Sequence, residues 1–168
     1  MDPKELWKRI DTKLLFPVFW YKTSTVLQNC MQNGAEYVVT SGYRSYGEQT
    51  KLWAQGRTLA GKKVTNALGG FSQHNFGLAV DVARRINGIL SWELKDYQPL
   101  FDEIAKHPEL HSGAKYKDAP HIGWHTFYSE KTGLKTLREA WEKADGSSTL
   151  ERLEQMWVVI PTGGITNG

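Results

Sequence analysis

Six side chains of the types that hold metals or move protons fall into three short stretches of this sequence. In "SQHNFGLAVDVA", residues 72–83, His74 stands seven positions before Asp81. In "YKDAPHIGWHTF", residues 116–127, Asp118 lies three positions before His121, and His125 lies four after it. In "SGYRS", residues 41–45, Arg44 follows an apolar run at a tight turn. Asp81 sits inside the strand-like run "LAVDVA", where a buried carboxylate is costly unless something positive meets it. Neutral imidazole and carboxylate are both zinc ligands, and a catalytic zinc takes three protein ligands and keeps one position open.

Each piece has a plain reading beside the chemical one. His74 and Asp81 are either a structural hydrogen-bonded pair or two ligands. On one straight strand a seven-residue offset points them to opposite faces, so sharing an ion requires a bend or bulge at Gly77. His121 and His125, four apart, share a face if the strand runs through both. Pro120 pushes Ala119 toward an extended conformation, which leaves Asp118 at the strand mouth, where a carboxylate beside a metal acts as a general base. Arg44 is either an exposed charge or a group that stabilises the oxyanion of a tetrahedral intermediate.

The elements that must position these residues follow from patterning. A helix is predicted from about Pro17 to Asn33, with proline in its first turn and Gly34 as its stop. Tyr37–Thr40 reads as a short strand, Ser45–Gln55 as a second helix, and 57–73 as loop. "FGLAVDVARRINGILSW" reads as a hairpin turning at Asn87-Gly88. "LKDYQPLFDEIAKHPEL" reads as a third helix broken near Pro108, "APHIGWHTFY" as a strand, and "KTGLKTLREAWEKA" as a fourth helix. A capping box, Ser148 with Glu151, opens a last helix. Its face of Leu150, Leu153, Met156 and Trp157 is set either for the core or for a partner, and "PTGGITNG" is expected to fray.

Length and composition bound the function classes. The 168 residues, 40% hydrophobic and 23% charged, suit one globular domain. Cys30 is the single cysteine, so no internal disulfide forms, and its apolar helical neighbours read as core. The N-terminus lacks the pattern of an export signal, and no run reaches the ~20 apolar residues of a membrane span. The expected place is therefore the cytoplasm, without membrane insertion. A net charge of +3 with no basic stripe argues against nucleic acid, and no Gly-x-Ser-x-Gly occurs for serine hydrolysis. The seven tryptophans are scattered and read mostly as core.

In order along the chain, "SGYRSYGEQTKLWAQGR", "VTNALGGFSQHNFGLAVDV" and "DAPHIGW" closely resemble the zinc D-alanyl-D-alanine carboxypeptidase (VanY-like) family. Within it they resemble the phage L-alanyl-D-glutamate endopeptidases used as endolysins. Ser72, His74, Gly77, Ala79 and Asp81 match the family's Ser-x-His-x-x-Gly-x-Ala-x-Asp signature, and Asp118, Pro120 and His121 match the Asp-x-Pro-His of the endopeptidase branch. The resemblance covers roughly residues 37–125. It implies an α+β fold, a small central antiparallel sheet flanked by helices of the Hedgehog/D-Ala-D-Ala-peptidase type, with a peptidase domain over 1–145 and a C-terminal helix and tail over 146–168.

The resemblance also implies a site. His74, Asp81 and His121 hold Zn2+, Asp118 is the general base that activates the water at zinc, and Arg44 aids the oxyanion. Ser72 and Gln49 line the substrate cleft. The substrate is the peptide stem of bacterial peptidoglycan, cut by a monomeric phage lysis enzyme that waits in the host cytoplasm until the membrane is permeabilised. A D-alanyl-D-alanine carboxypeptidase and a non-catalytic zinc- or wall-binding module of the same fold are the alternatives. One departure stands out: the Trp-Gly-Gly-type stretch that often precedes Asp-x-Pro-His is here "HSGAKYKD". His125 is placed either as a substitute ligand for His121 or behind it, and His107 and His111 are expected at the surface.

Overall fold

The computed structural model describes residues 3–116, 118–125 and 130–161. The chain forms two compact units, Met1–His125 and Thr126–Gly168.

The first unit opens with 3-10 turns at Pro3–Trp7 and Thr12–Leu14, then α1, Pro17–Gln32. Pro17 occupies the first turn of α1, where its missing N–H is no loss. Phe19, Val26, Leu27 and Cys30 form its buried stripe. After β1 (Tyr37–Ser41) comes α2 (Tyr46–Ala54), capped reciprocally by Ser45 and Glu48. A 3-10 turn at Gln73–Phe76 leads into β2 (Ala79–Ile86) and β3 (Ile89–Ser91). Asn87 and Gly88, at φ 51° and 82°, make the expected two-residue hairpin turn. Then follow α3 (Gln98–Ile104), β4 (Leu110–Ser112) and β5 (His121–Trp124). The helix expected to run on past Pro108 is corrected: Leu110–Ser112 is a strand, because it pairs with β5.

All pairings are antiparallel, in the order β1-β2-β5-β4, with β3 added to the far end of β2. This is the small central antiparallel sheet flanked by helices that the sequence reading anticipates. Because side chains alternate along a strand, the sheet has two distinct faces. Val80, Val82, Ile122 and Trp124 share one, all buried. Phe16 meets the ring of Trp124 edge-on, and Tyr97, whose hydroxyl donates to Val82 O at 2.9 Å, covers Tyr37. The opposite face carries Ala79, Asp81, His121 and Gly123. Folding stabilises this arrangement by hiding the first face, at about 25 cal/mol per Å² of apolar surface. The second face is thereby free to hold polar groups.

In the second unit α4 (Glu130–Lys143) and α5 (Thr149–Trp157) pack on each other. The Ser148–Glu151 capping box opens α5 as expected. Arg152 lies 4.2 Å over the Trp141 ring and donates to Trp141 O at 2.9 Å. Residues 126–128 of the expected strand lie outside the described residues, as does "PTGGITNG" apart from Pro161. Trp7, Trp124 and Trp157 are buried as expected, whereas Trp20 and Trp92 are exposed. Among the described residues no helix is long and apolar enough to cross a membrane.

Two outcomes follow for the first unit. Gly77 has φ +67°, and a Cβ there would lie 2.3 Å from Leu14 O. Gly77→Ala should therefore cost about 2 kcal/mol or more, read as a melting point lower by about 4–8 °C. The Cys30 thiol is buried and pushed up from 9.0 to about 11, chiefly by desolvation. Its alkylation by iodoacetamide at pH 8 should be roughly 100-fold slower than that of a free thiol, and unfolding should abolish the difference.

Candidate metal centre

Strand register brings the first two candidate ligands together. Asp81 on β2 stands opposite His121 on β5, and Ser41 on β1 stands opposite Asp81 from the other side. Directly opposed residues project to the same face, so Ser41, Asp81 and His121 form one row across three strands. His121 Nδ1 lies 3.4 Å from Asp81 Oδ1.

His74 arrives by a different route from the bend or bulge in a strand that its spacing from Asp81 suggests. It sits in the 3-10 turn Gln73–Phe76, and Gly77 is the left-handed cap that ends that turn and starts the chain toward β2. The turn is buried and polar-laced. Ser72 caps it, accepting from the backbone N–H of His74. Asn75 Oδ1 accepts from the Gly70 N–H at 2.9 Å, and Asn75 Nδ2 donates to Arg44 O at 2.8 Å. Arg44 N donates to His74 O at 3.0 Å.

The decisive contact is His74 Nδ1 to Gly42 O, 2.8 Å. A carbonyl oxygen only accepts, so Nδ1 carries the proton and Nε2 keeps its lone pair. That lone pair faces Asp81 Oδ1 at 3.3 Å. Two acceptors at that distance repel unless a cation lies between them. One nitrogen from each of His74 and His121 and one oxygen of Asp81 all lie within 4.8 Å of one another. A tetrahedron with zinc–ligand bonds of about 2.0–2.1 Å has edges of roughly 3.3–3.4 Å. The two distances to Asp81 Oδ1 are therefore those of a ligand set already at metal-binding separation. Two imidazoles and a carboxylate fit zinc, and the outward bond of His74 to Gly42 O is the support that such ligands take.

Electrostatics agree. Burial raises the Asp81 carboxyl, but the facing imidazoles of His74 and His121 outweigh it and hold the group well below the usual carboxylate range. Arg44 adds to this: Nη2 is 3.5 Å from Asp81 Oδ2 and donates to Ser41 Oγ at 2.8 Å, while Nη1 donates to Gln49 Oε1 at 2.8 Å. Gln49 is fully buried, and its Nε2 donates to Ala67 O at 2.7 Å. Thus both residues expected to line the cleft hold other groups in place: Ser72 caps the His74 turn, and Gln49 anchors Arg44. Asp118 lies at the rim, exposed, with its carbonyl accepting from His121 N at 3.1 Å. Its carboxyl is raised, by partial loss of water first and by Asp81 next, against the lowering pull of His121, His74 and Arg44.

His125 is exposed and outside the three-ligand group. β5 ends at Trp124, so the shared face expected of His121 and His125 is not continued. His111, expected at the surface, is instead half-buried: its ring lies 5.8 Å from the His121 ring and 6.4 Å from that of His125. Burial and the two neighbouring imidazoles push it down to about 4. Sequence reasoning also missed Gln73, which has no signal beyond its place beside His74, and Asn75.

Comparison with known proteins agrees with this geometry. The model of the VanY family, described as D-alanyl-D-alanine carboxypeptidase, matches residues 17–142. The peptidoglycan L-alanyl-D-glutamate endopeptidase CwlK of Bacillus subtilis (strain 168) is 34% identical over 121 residues, covering 64% of this chain and 72% of that protein. The putative carboxypeptidase YodJ of the same organism is 27% identical over 129 residues, covering 68% of this chain and 46% of YodJ. The crystal structure of the Serratia marcescens L-Ala D-Glu endopeptidase ChiX shares the fold, with a TM-score of 0.54 at 19% identity over 72% of this chain and 86% of that one.

A bound ion stabilises the folded chain by mass action, by about 4 kcal/mol at a free concentration 1,000 times its Kd. Thermal melts should therefore rise with Zn2+ and fall with a chelator. His74→Ala, Asp81→Asn and His121→Ala should each remove the zinc-dependent rise.

Proposed function

We infer the reaction of this chain from its membership: it belongs to the VanY family of D-alanyl-D-alanine carboxypeptidases, and it is a zinc-dependent metallopeptidase of peptidoglycan. Within that class we read it as an endopeptidase that cuts the L-alanyl-D-glutamate bond of the stem peptide. The observation that carries the metallopeptidase chemistry is the lone pair of His74 Nε2 held against Asp81 Oδ1 by the bond from Nδ1 to Gly42 O. The likeness to CwlK, with Asp118, Pro120 and His121 in the endopeptidase pattern, supports the choice of bond.

His74 Nε2, Asp81 Oδ1 and His121 Nδ1 would hold the ion. Zinc, when bound, supplies Lewis acidity, polarising an amide carbonyl and making water acidic enough to attack near neutral pH. The chain's own groups do the rest. Asp118, at the open rim with a raised carboxyl, takes the proton of the attacking water and passes it to the leaving amine. Arg44, pinned by Ser41 and Gln49, stabilises the negative oxygen that develops on the former carbonyl. One carboxylate and two neutral imidazoles around a divalent ion leave one net positive charge. With Arg44 beside it, that centre suits a substrate rich in carboxylates.

We read the chain further as a monomeric phage endolysin, held in the host cytoplasm and reaching the wall once the membrane is permeabilised. The resemblance of its two motifs to the endolysin branch supports this. Cells producing it should stay intact until their membrane is breached, then lyse.

Mass spectrometry of digested peptidoglycan tests the bond. Fragments with a newly freed D-glutamate amine are expected; release of D-alanine alone would establish the carboxypeptidase reading that the family description favours. Asp118→Asn should keep zinc and lose about 10²–10⁴-fold in kcat. Arg44→Ala should lose about 2.7–4 kcal/mol of transition-state stabilisation in kcat/KM.

A further inference from the structure

Beside the row Ser41–Asp81–His121 runs a second row on the same face. His111 on β4 stands opposite Gly123 on β5, and Gly123 stands opposite Ala79 on β2. Gly123 and Ala79 lie two residues from His121 and Asp81 along their strands, one step of the side-chain period. Their small size leaves a hollow in the sheet surface next to the ligands, and the buried side chain of Gln73 fills it. Gln73 Oε1 accepts from His111 Nε2 at 3.0 Å, and Gln73 Nε2 donates to Trp124 O at 2.7 Å. The fit leaves no slack: a Cβ on Gly123 would lie 2.1 Å from Gln73 Oε1 and 2.5 Å from His111 Nε2.

These contacts link both imidazole ligands. Gln73 is the residue before His74 in a turn of only four residues, so fixing its side chain fixes the peptide from which His74 projects. The His111 ring lies at 35° to that of His121, 5.8 Å between centres, and so backs the second ligand. One hydrogen bond therefore joins the mounting of His74 on the turn to the mounting of His121 on the sheet.

We propose that His111, acting through Gln73, is a positioning residue that sets the separation of the His74 and His121 imidazoles. This rests on the metal-centre reading above. His111 takes no part in the ligand set, and the polar link it makes does not bury apolar surface. Its contribution is the spacing at which two nitrogens meet one ion. Partners that orient metal ligands are worth 10–100-fold in metal affinity in other sites.

Zinc affinity of the chelator-stripped protein, measured by competition with a chromophoric chelator well below the melting point, tests this. His111→Phe keeps a ring and loses the donor; Gln73→Met removes the other end of the bond. Each is expected to weaken zinc binding about tenfold or more, with His111→Gln, which retains an N–H donor, restoring most of it. The double variant should lose no more than either single one, because both cut the same link. Circular dichroism and melting of the metal-free forms identify any variant that fails to fold, and the remaining one carries the test. Folded variants that bind zinc as tightly as the parent, or losses that add, would overturn the positioning role. Failure of the parent itself to bind zinc would overturn the metal centre, and this inference with it.

Discussion

The site depends on one unfavourable contact. His74 Nε2 and Asp81 Oδ1, both acceptors, face each other at 3.3 Å, and the bond from His74 Nδ1 to Gly42 O keeps the only ring proton on the far side. If the His74 ring were free to turn or change tautomer, it would donate to Asp81 and the pair would become an ordinary buried hydrogen bond. The carbonyl of Gly42 prevents this. What is left is a carboxylate and two imidazoles whose mutual repulsion only a cation relieves. Arg44 relieves part of it from the Oδ2 side, at 3.5 Å. A guanidinium that also serves Ser41 and Gln49 does not reach the Oδ1 side, where the imidazoles converge.

Holding such a contact requires structure that is stabilised elsewhere. The apolar face of the sheet, with Val80, Val82, Ile122 and Trp124 fully or almost fully buried, supplies that stability. The polar face then gains its precision from two unlike sources. Asp81 and His121 are fixed by strand register, which moves only if a whole ladder slips. His74 is fixed by a short turn laced to the Gly42–Ser45 loop through three backbone or amide bonds. Rigid strands and a tethered turn give the reach that one strand alone lacks, since a seven-residue offset on one strand would part the two side chains.

Much of this was readable from the chain. Asn87-Gly88, the Ser45 and Ser148 caps and Pro17 each announce themselves because one residue type satisfies one local backbone requirement. Asp81 and His121 were legible as partners through motif and alternation. The turn holding His74 was not: "SQHNF" carries a capping signal, but the strand-like run after it invites extending the strand backwards. Gln49 looked like a cleft residue because it is polar on a helix beside Arg44. Its burial follows from the loop at 65–67 folding over it, a tertiary fact. His111 was misjudged for a related reason. The "HPEL" segment continues a helical pattern, and only pairing with β5 makes Leu110–Ser112 a strand whose middle residue faces the site.

The departure from the family pattern at "HSGAKYKD" takes on physical meaning here. The ligands and Asp118 lie on backbone that the sheet and Pro120 constrain, so their types are set by the ion and the reaction. The stretch from His111 to Lys117 is under no such demand. It must only form the wall beside His121 and let the chain turn back at Gly113, where a Cβ would lie 2.0 Å from Asp118 O. A chain can therefore exchange a bulky aromatic wall for an imidazole that reaches Gln73, provided the glycine at the turn and the glycine at 123 remain. The constraint from the metal reaches outward as far as the residues whose atoms fix ligand spacing; beyond them the wall is free to vary.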